Sequence, residues 1–173
     1  MTREELIKKA VDAAVEAQIR DDICARSAMY GLKQVFDFIP EELVTASLSL
    51  AGGCGAGSGS CGAYCAGLLA VGMKYNSTME AEKTNPDLIE GGCMKFVEFR
   101  DRFLKERGTI LCPELHKQVF GRSYVFTDPV QHEEFGALAG HEVKCAEVVA
   151  SAVKVCCEML LDDPEIAKAL LTE

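Results

Sequence analysis

Residues 52–72 read GGCGAGSGSCGAYCAGLLAVG. Glycine recurs at 53, 55, 57 and 59, and the run passes into a segment built almost entirely of small residues. Such a stretch makes a tight turn and lets other backbone approach closely, so it belongs at the centre of a fold. Its glycine spacing superficially matches a dinucleotide fingerprint, which needs a strand before it and a helix after it. A helical pattern precedes it here, and no lysine followed by Ser or Thr closes it as a phosphate-binding loop. The nucleotide reading is set aside in favour of the steric one.

Around this stretch the pattern is helical almost throughout. Leu6, Ala10, Ala13, Ala14 and Ala17 fall at helical spacing and predict a first helix over 3–20. Asp21 and Asp22 offer a cap for a second, about 23–38. Pro40 followed by Glu41 and Glu42 opens a third, running to about Leu50. Ser60 is the expected cap of a fourth, about 61–75. Asn85-Pro86-Asp87 starts a further helical stretch, with Gly91-Gly92 as a candidate break and Gly108 as its end. Cys112-Pro113-Glu114 reads as another start, residues 121–131 as an irregular piece, about 135–161 as a long helix, and 164–171 as a short last one. The expected fold is all-α: a compact single-domain helical bundle over 1–173, with the glycine-rich loop leading into a central small-residue helix.

With 49% hydrophobic and 26% charged residues, the composition is that of an ordinary globular protein. A net charge of −9 makes nucleic acid and anionic membrane surfaces poor partners. The opening MTREELIKK lacks the apolar core of a signal peptide, and the apolar run near 63–73 is too short to span a bilayer. A cytoplasmic location is expected, and an alanine-rich acidic bundle suggests a homodimer.

The nine cysteines are the unusual number: Cys24, Cys54, Cys61, Cys65, Cys93, Cys112, Cys145, Cys156 and Cys157. An odd count in a chain large enough to fold without crosslinks favours metal binding or thiol chemistry over structural bridges. Any one of them can instead be a buried small hydrophobe. Cys61 and Cys112 fall at expected helix N-termini, where unpaired N–H groups and the macrodipole favour a thiolate. Cys65 is one helical turn beyond Cys61, and Cys54 lies in the loop, so both are candidate auxiliary thiols. Cys145 shares a core-facing stripe with Val148, Val149, Ala152 and Cys156. No C-x-x-C pair occurs, against a thioredoxin motif or zinc ribbon, and without C-x-x-C-H a covalent haem has no attachment point, so none is expected. His116, one turn after Cys112, and His141, one turn before Cys145, are each a candidate metal ligand or proton carrier, His141 as an auxiliary to the four cysteines; the plainer expectation for both is a partly exposed polar residue. Gly53, Gly59, Ser60 and Gly62 are the positions whose backbone is expected to face a cofactor or oxyanion.

Four cysteines and their flanks carry a resemblance. They are Cys24 in an early helix, Cys61-Gly62-Ala63 after the glycine-rich turn, the Gly108-Thr-Ile-Leu-Cys112 step, and Cys145 opening C-x-x-V-V-x-x-A. Over about 23–161 the chain resembles the redox-active proteins named for their C–GCAxxG–C–C pattern; a similar module occurs in split-Soret cytochromes. Where that pattern has a second glycine, this chain has Ala66, with Gly67 next. The resemblance implies a redox role for Cys24, Cys61, Cys112 and Cys145. Four thiolates from four segments suit an iron–sulfur cluster, [2Fe–2S] in its simplest form, passing electrons to a redox partner protein. The same thiols without metal suit dithiol–disulfide cycling. Two other readings stay open: a thiol enzyme with Cys61 as nucleophile and Cys65 or Cys112 resolving, and a non-catalytic helical scaffold with core cysteines.

Overall fold

The computed structural model describes residues 1–171. Among them are ten α-helices and no strand: α1 (Arg3–Asp21), α2 (Cys24–Lys33), α3 (Glu41–Ala46), α4 (Gly62–Tyr75), α5 (Met79–Thr84), α6 (Leu88–Arg107), α7 (Cys112–Phe120), α8 (Pro129–Gly136), α9 (His141–Leu161) and α10 (Pro164–Leu170). A 3₁₀ turn, Ser47–Leu50, extends α3. The all-α expectation holds. Among the described residues no helix is long and apolar enough to cross a membrane.

α9 is the axis, packed against α1, α2, α4 and α6. Its buried face carries Val149, Ala152, Val153, Cys156 and Leu160. α1 starts at Thr2, whose side chain accepts from the Glu5 N–H while the Glu5 carboxylate accepts from the Thr2 N–H. Leu6, Ala10, Ala14 and Ala17 then form the buried stripe that the spacing predicts. The small-residue helix α4 is central, as expected. A Cβ on Gly67 would stand 2.3 Å from Cζ of Phe99, so the residue's bareness is what lets α6 lay its fully buried Phe99 ring on α4. Phe99 in turn stacks on Tyr64 at 5.6 Å. Gly67 thus does the close-packing work, one residue past the pattern position held by the buried Ala66.

Several boundaries differ from expectation. α2 stops at Lys33 and the chain turns before α3. Gly91 and Gly92 do not break α6; Gly92 is buried, and a Cβ there would meet the Asn76 side chain at 2.7 Å. α5, capped by the Thr78 hydroxyl, was not anticipated. The long last helix is divided in two: α8 ends at Gly136, Gly140 turns the chain in a left-handed conformation, and α9 begins at His141. Ser60 does not cap α4. Cys61 itself is the cap residue, and Ser60 instead pairs with Leu111 in an isolated antiparallel bridge.

Candidate functional site

That bridge builds the site. The Cys61 N–H donates to the Ile110 carbonyl at 2.8 Å, and the Cys112 N–H donates to the Gly59 carbonyl at 2.9 Å. The start of α4 and the start of α7 are therefore held side by side, with one cysteine on each. Before them, Gly52, Gly53, Cys54 and Gly55 form a left-handed run. It turns sharply enough to lay Gly53 against Cys112, where a Cβ would be 2.8 Å from the Cys112 Cβ. Gly62 has a matching role: a Cβ on it would stand 2.6 Å from the Leu50 carbonyl oxygen and 2.9 Å from the Cys24 sulfur. The start of α2 can thus bring Cys24 onto the first turn of α4.

The result is a cavity of about 370 Å³ whose wall includes Cys24, Cys61, Cys112 and Cys145. Four cysteines spread over more than a hundred positions of the chain are brought to one space. The rest of the wall is mainly apolar, with Leu115, Val119, Phe126, Phe135, Val148 and Val149; it contains no lysine or arginine. Of the backbone positions singled out, Gly62 lines the cavity directly, while Gly53 and Gly59 act by packing on Cys112 and receiving its N–H.

The helix-start cysteines were expected to be ready thiolates. They are not, because burial outweighs the backbone donors. Burial pushes Cys61 far above the ordinary thiol range, even though its sulfur accepts from the Ala63 and Tyr64 N–H groups. Cys24 is raised by burial despite N–H donation from Gly52, Ala25 and Ala63. Cys112 is pushed up to about 12 by burial and by the nearness of Cys24 and Cys54. Cys145 is raised by burial, then by Cys24, Asp22, Cys61 and Cys112. Left to itself, the set is four neutral thiols that each resist a second negative charge among them.

Gln18, Asp22, His116, His132 and His141 are the polar side chains of the wall. His116 is only 5% exposed, not a surface histidine. Its Nε2 is 3.6 Å from the Cys112 sulfur, and its Nδ1 has no hydrogen-bond partner among the described residues. Phe120, Tyr124, Phe126 and Phe135 surround the ring, and burial lowers its pKa to about 4. The sequence placed this residue one turn after Cys112 as a candidate ligand or proton carrier but expected it partly exposed; the missed signal was the aromatic density of 120–135, which read only as an irregular piece. His141 is not free to ligate: Nδ1 is 2.8 Å from the Leu138 carbonyl oxygen and Nε2 is 2.9 Å from Asp22 Oδ2. Both ring nitrogens thus face oxygens of the protein and are turned away from the cysteines. Asp22 is thereby committed to the cavity wall and to the left-handed end of α1, rather than to capping α2.

The remaining cysteines lie elsewhere. Cys54 is exposed and Cys65 is half-buried, and neither lines the cavity. Cys93 is half-buried on α6, and Cys156 and Cys157 are packed in the core. All nine are free thiols. Among the described residues no three His, Cys, Asp or Glu side chains are drawn together as the ligand set of a single metal ion.

The family model described as "Putative redox-active protein (C_GCAxxG_C_C)" matches residues 23–159. No curated protein and no solved structure matches the chain.

Proposed function

The chain belongs to this redox-active family, and from that premise we propose that Cys24, Cys61, Cys112 and Cys145 hold an iron–sulfur cluster in the cavity and that the protein passes electrons to a partner protein in the cytoplasm. The observation that carries this reading is the convergence of four cysteines, two buried and two half-buried, on one space whose wall has no lysine or arginine. Thiolates gathered there need positive charge, which a multi-iron guest supplies. Bound there, such a cluster supplies a redox couple whose potential responds to hydrogen bonds on its sulfurs and to burial. The N–H groups of Gly52, Ala25, Ala63 and Tyr64 offer those hydrogen bonds at Cys24 and Cys61. Leu115, Val119, Phe126 and Phe135 give the same space an apolar lining. Single-ion zinc binding has less support, since tetrahedral zinc needs its sulfurs about 2.3 Å from one atom.

Anaerobic purification or reconstitution with iron and sulfide, followed by an absorption spectrum and iron and sulfide analysis, tests the reading. A coloured protein with stoichiometric iron is expected. A chain that stays colourless and iron-free after reconstitution overturns it.

One observation favours a second reading, dithiol–disulfide cycling. The antiparallel Ser60–Leu111 bridge sets Cys61 and Cys112 on its two sides, in one cavity wall. Closing them to a disulfide gives two electrons to an oxidised partner protein and releases two protons to solvent. A nucleophilic-enzyme role for Cys61 is less supported, because burial favours its neutral form.

A further inference from the structure

His116 stands in the cavity wall with no part in holding a guest, yet its surroundings give it a task. It lies one turn after Cys112 on α7, and its Nε2 is 3.6 Å from the Cys112 sulfur. Four aromatic rings fix the imidazole in that pose. It stacks on Phe135 of α8, with 5.4 Å between centroids and 9° between planes. Phe120, Tyr124 and Phe126 meet it edge-on. These rings come from the end of α7, the connection that follows it, and α8. Together they leave Nδ1 buried with no hydrogen-bond partner among the described residues. His141 has no such freedom to serve a sulfur, since both its nitrogens face oxygens.

The two nitrogens of His116 are therefore unequal. Burial keeps the ring neutral, with a single proton. On Nδ1 that proton would be an N–H orphaned among aromatic rings, which buried structure rarely tolerates. On Nε2 it points at sulfur. A neutral thiol is a weak acceptor, and a thiolate is a strong, charge-assisted one. We propose that His116 is a hydrogen-bond donor to Cys112, held in the Nε2–H tautomer by its aromatic cage, and that it raises the reduction potential of the four-cysteine centre. The second half rests on Cys112 working there as a thiolate, as proposed above. An electron that enters the centre adds negative charge to its sulfurs, and a donor aimed at one of them favours the reduced form. The cage supplies what a surface histidine lacks: no water competes for Nδ1, so the proton has one place to go.

The full chain, isotopically labelled at its histidine ring nitrogens and kept metal-free and reduced near neutral pH, reports the tautomer by long-range proton–nitrogen correlation. His116→Gln assigns the signal by its loss. A protonated Nε2 and a bare Nδ1 are expected, and a protonated Nδ1 overturns the proposal. After reconstitution with iron and sulfide, a mediated redox titration followed by absorbance compares the variants. His116→Phe keeps an aromatic ring in the cage and removes the donor. At the midpoint potential of the unsubstituted chain, its ratio of reduced to oxidised centre is expected to fall at least threefold. His116→Gln, whose amide N–H can reach towards the same sulfur, is expected to recover at least half of that shift in potential. Equal shifts in both variants, or none in either, overturn the proposal, because lost packing does not tell a donor from a ring. Iron analysis reads the cluster separately: a chain that stays iron-free sinks the cluster, and the tautomer still decides the donor.

Discussion

α9 carries two kinds of cysteine on one helix, a half-buried one and a buried one. Cys145, in its second turn, lines the cavity with Cys24, Cys61 and Cys112. Cys156, three turns later, is fully buried, and its sulfur faces the Gly67 carbonyl oxygen at 3.8 Å, with Cys157 packed beside it. Burial pushes both thiols well above their ordinary range. Protonation state therefore does not separate them. What separates them is space and company: one end of α9 encloses a volume among four sulfurs and several backbone donors, and the other is filled by side chains. Burial of a cysteine is a packing fact, whereas an enclosed volume shared by several cysteines points to chemistry.

The largest expected effect breaks this comparison most directly. Cys145→Ala should lower the iron retained after reconstitution at least tenfold, while Cys156→Ala should retain iron and lose about 1 kcal/mol of stability through lost packing. Equal iron loss in both variants, measured by iron analysis with parallel denaturant melts, would erase the distinction.

The next effect concerns pH. In the metal-free chain, His116 has a folded pKa of about 4, lowered by burial, against an ordinary value of 6.5. The unfolded chain binds a proton in that window and the folded chain does not, so stability is full above 6.5 and falls as pH drops towards 4. The loss should approach about 3 kcal/mol. His116→Phe should flatten the slope in urea melts between pH 4 and 7, and no change in slope would sink the assignment. The core end of α9 has no such group and should add no pH dependence there.

Glycine substitutions sharpen the contrast further. Gly67→Ala forces a Cβ into the Phe99 ring and should cost about 1–3 kcal/mol, read as a lower Tm, with iron retained. Gly62→Ala forces a Cβ against the Leu50 carbonyl and the Cys24 sulfur, so it should also lower iron content. The smallest effect lies outside both ends. Asp162 takes Arg3 at 2.7 Å and Arg102 at 2.8 Å, tying α1 and α6 to the end of α9. Its carboxyl is held below the usual range by these partners against the opposing cost of burial. This contribution is present above the ordinary carboxylate pKa and fades as pH falls below it. Asp162 is half-exposed, so Asp162→Asn should cost no more than about 1 kcal/mol, and less at high salt.

Much of the fold was legible where a local rule acts alone. The alanine stripe of α1, the left-handed stop at Gly108, Pro113 at the start of α7 and the Asp163 cap of α10 all follow from residues within one turn of each other. Legibility failed where a distant partner decides. Gly91-Gly92 reads as a break, but Asn76 packs on Gly92 and α6 runs through. Asp22 reads as a cap, but His141 claims its carboxylate from 119 residues away. Ser60 reads as a cap, but Leu111 claims its backbone.

The site divides the same way. The sequence by itself determined the helical class, because periodicity and capping are short-range, and it picked out Cys24, Cys61, Cys112 and Cys145 through their flanking residues. Only the tertiary structure decided that these four share one cavity and that His116 stands inside it. It also decided that helix-start thiols are neutral. A thiol's charge depends on how much water surrounds it and which groups face it, and both are set by segments far apart in the chain.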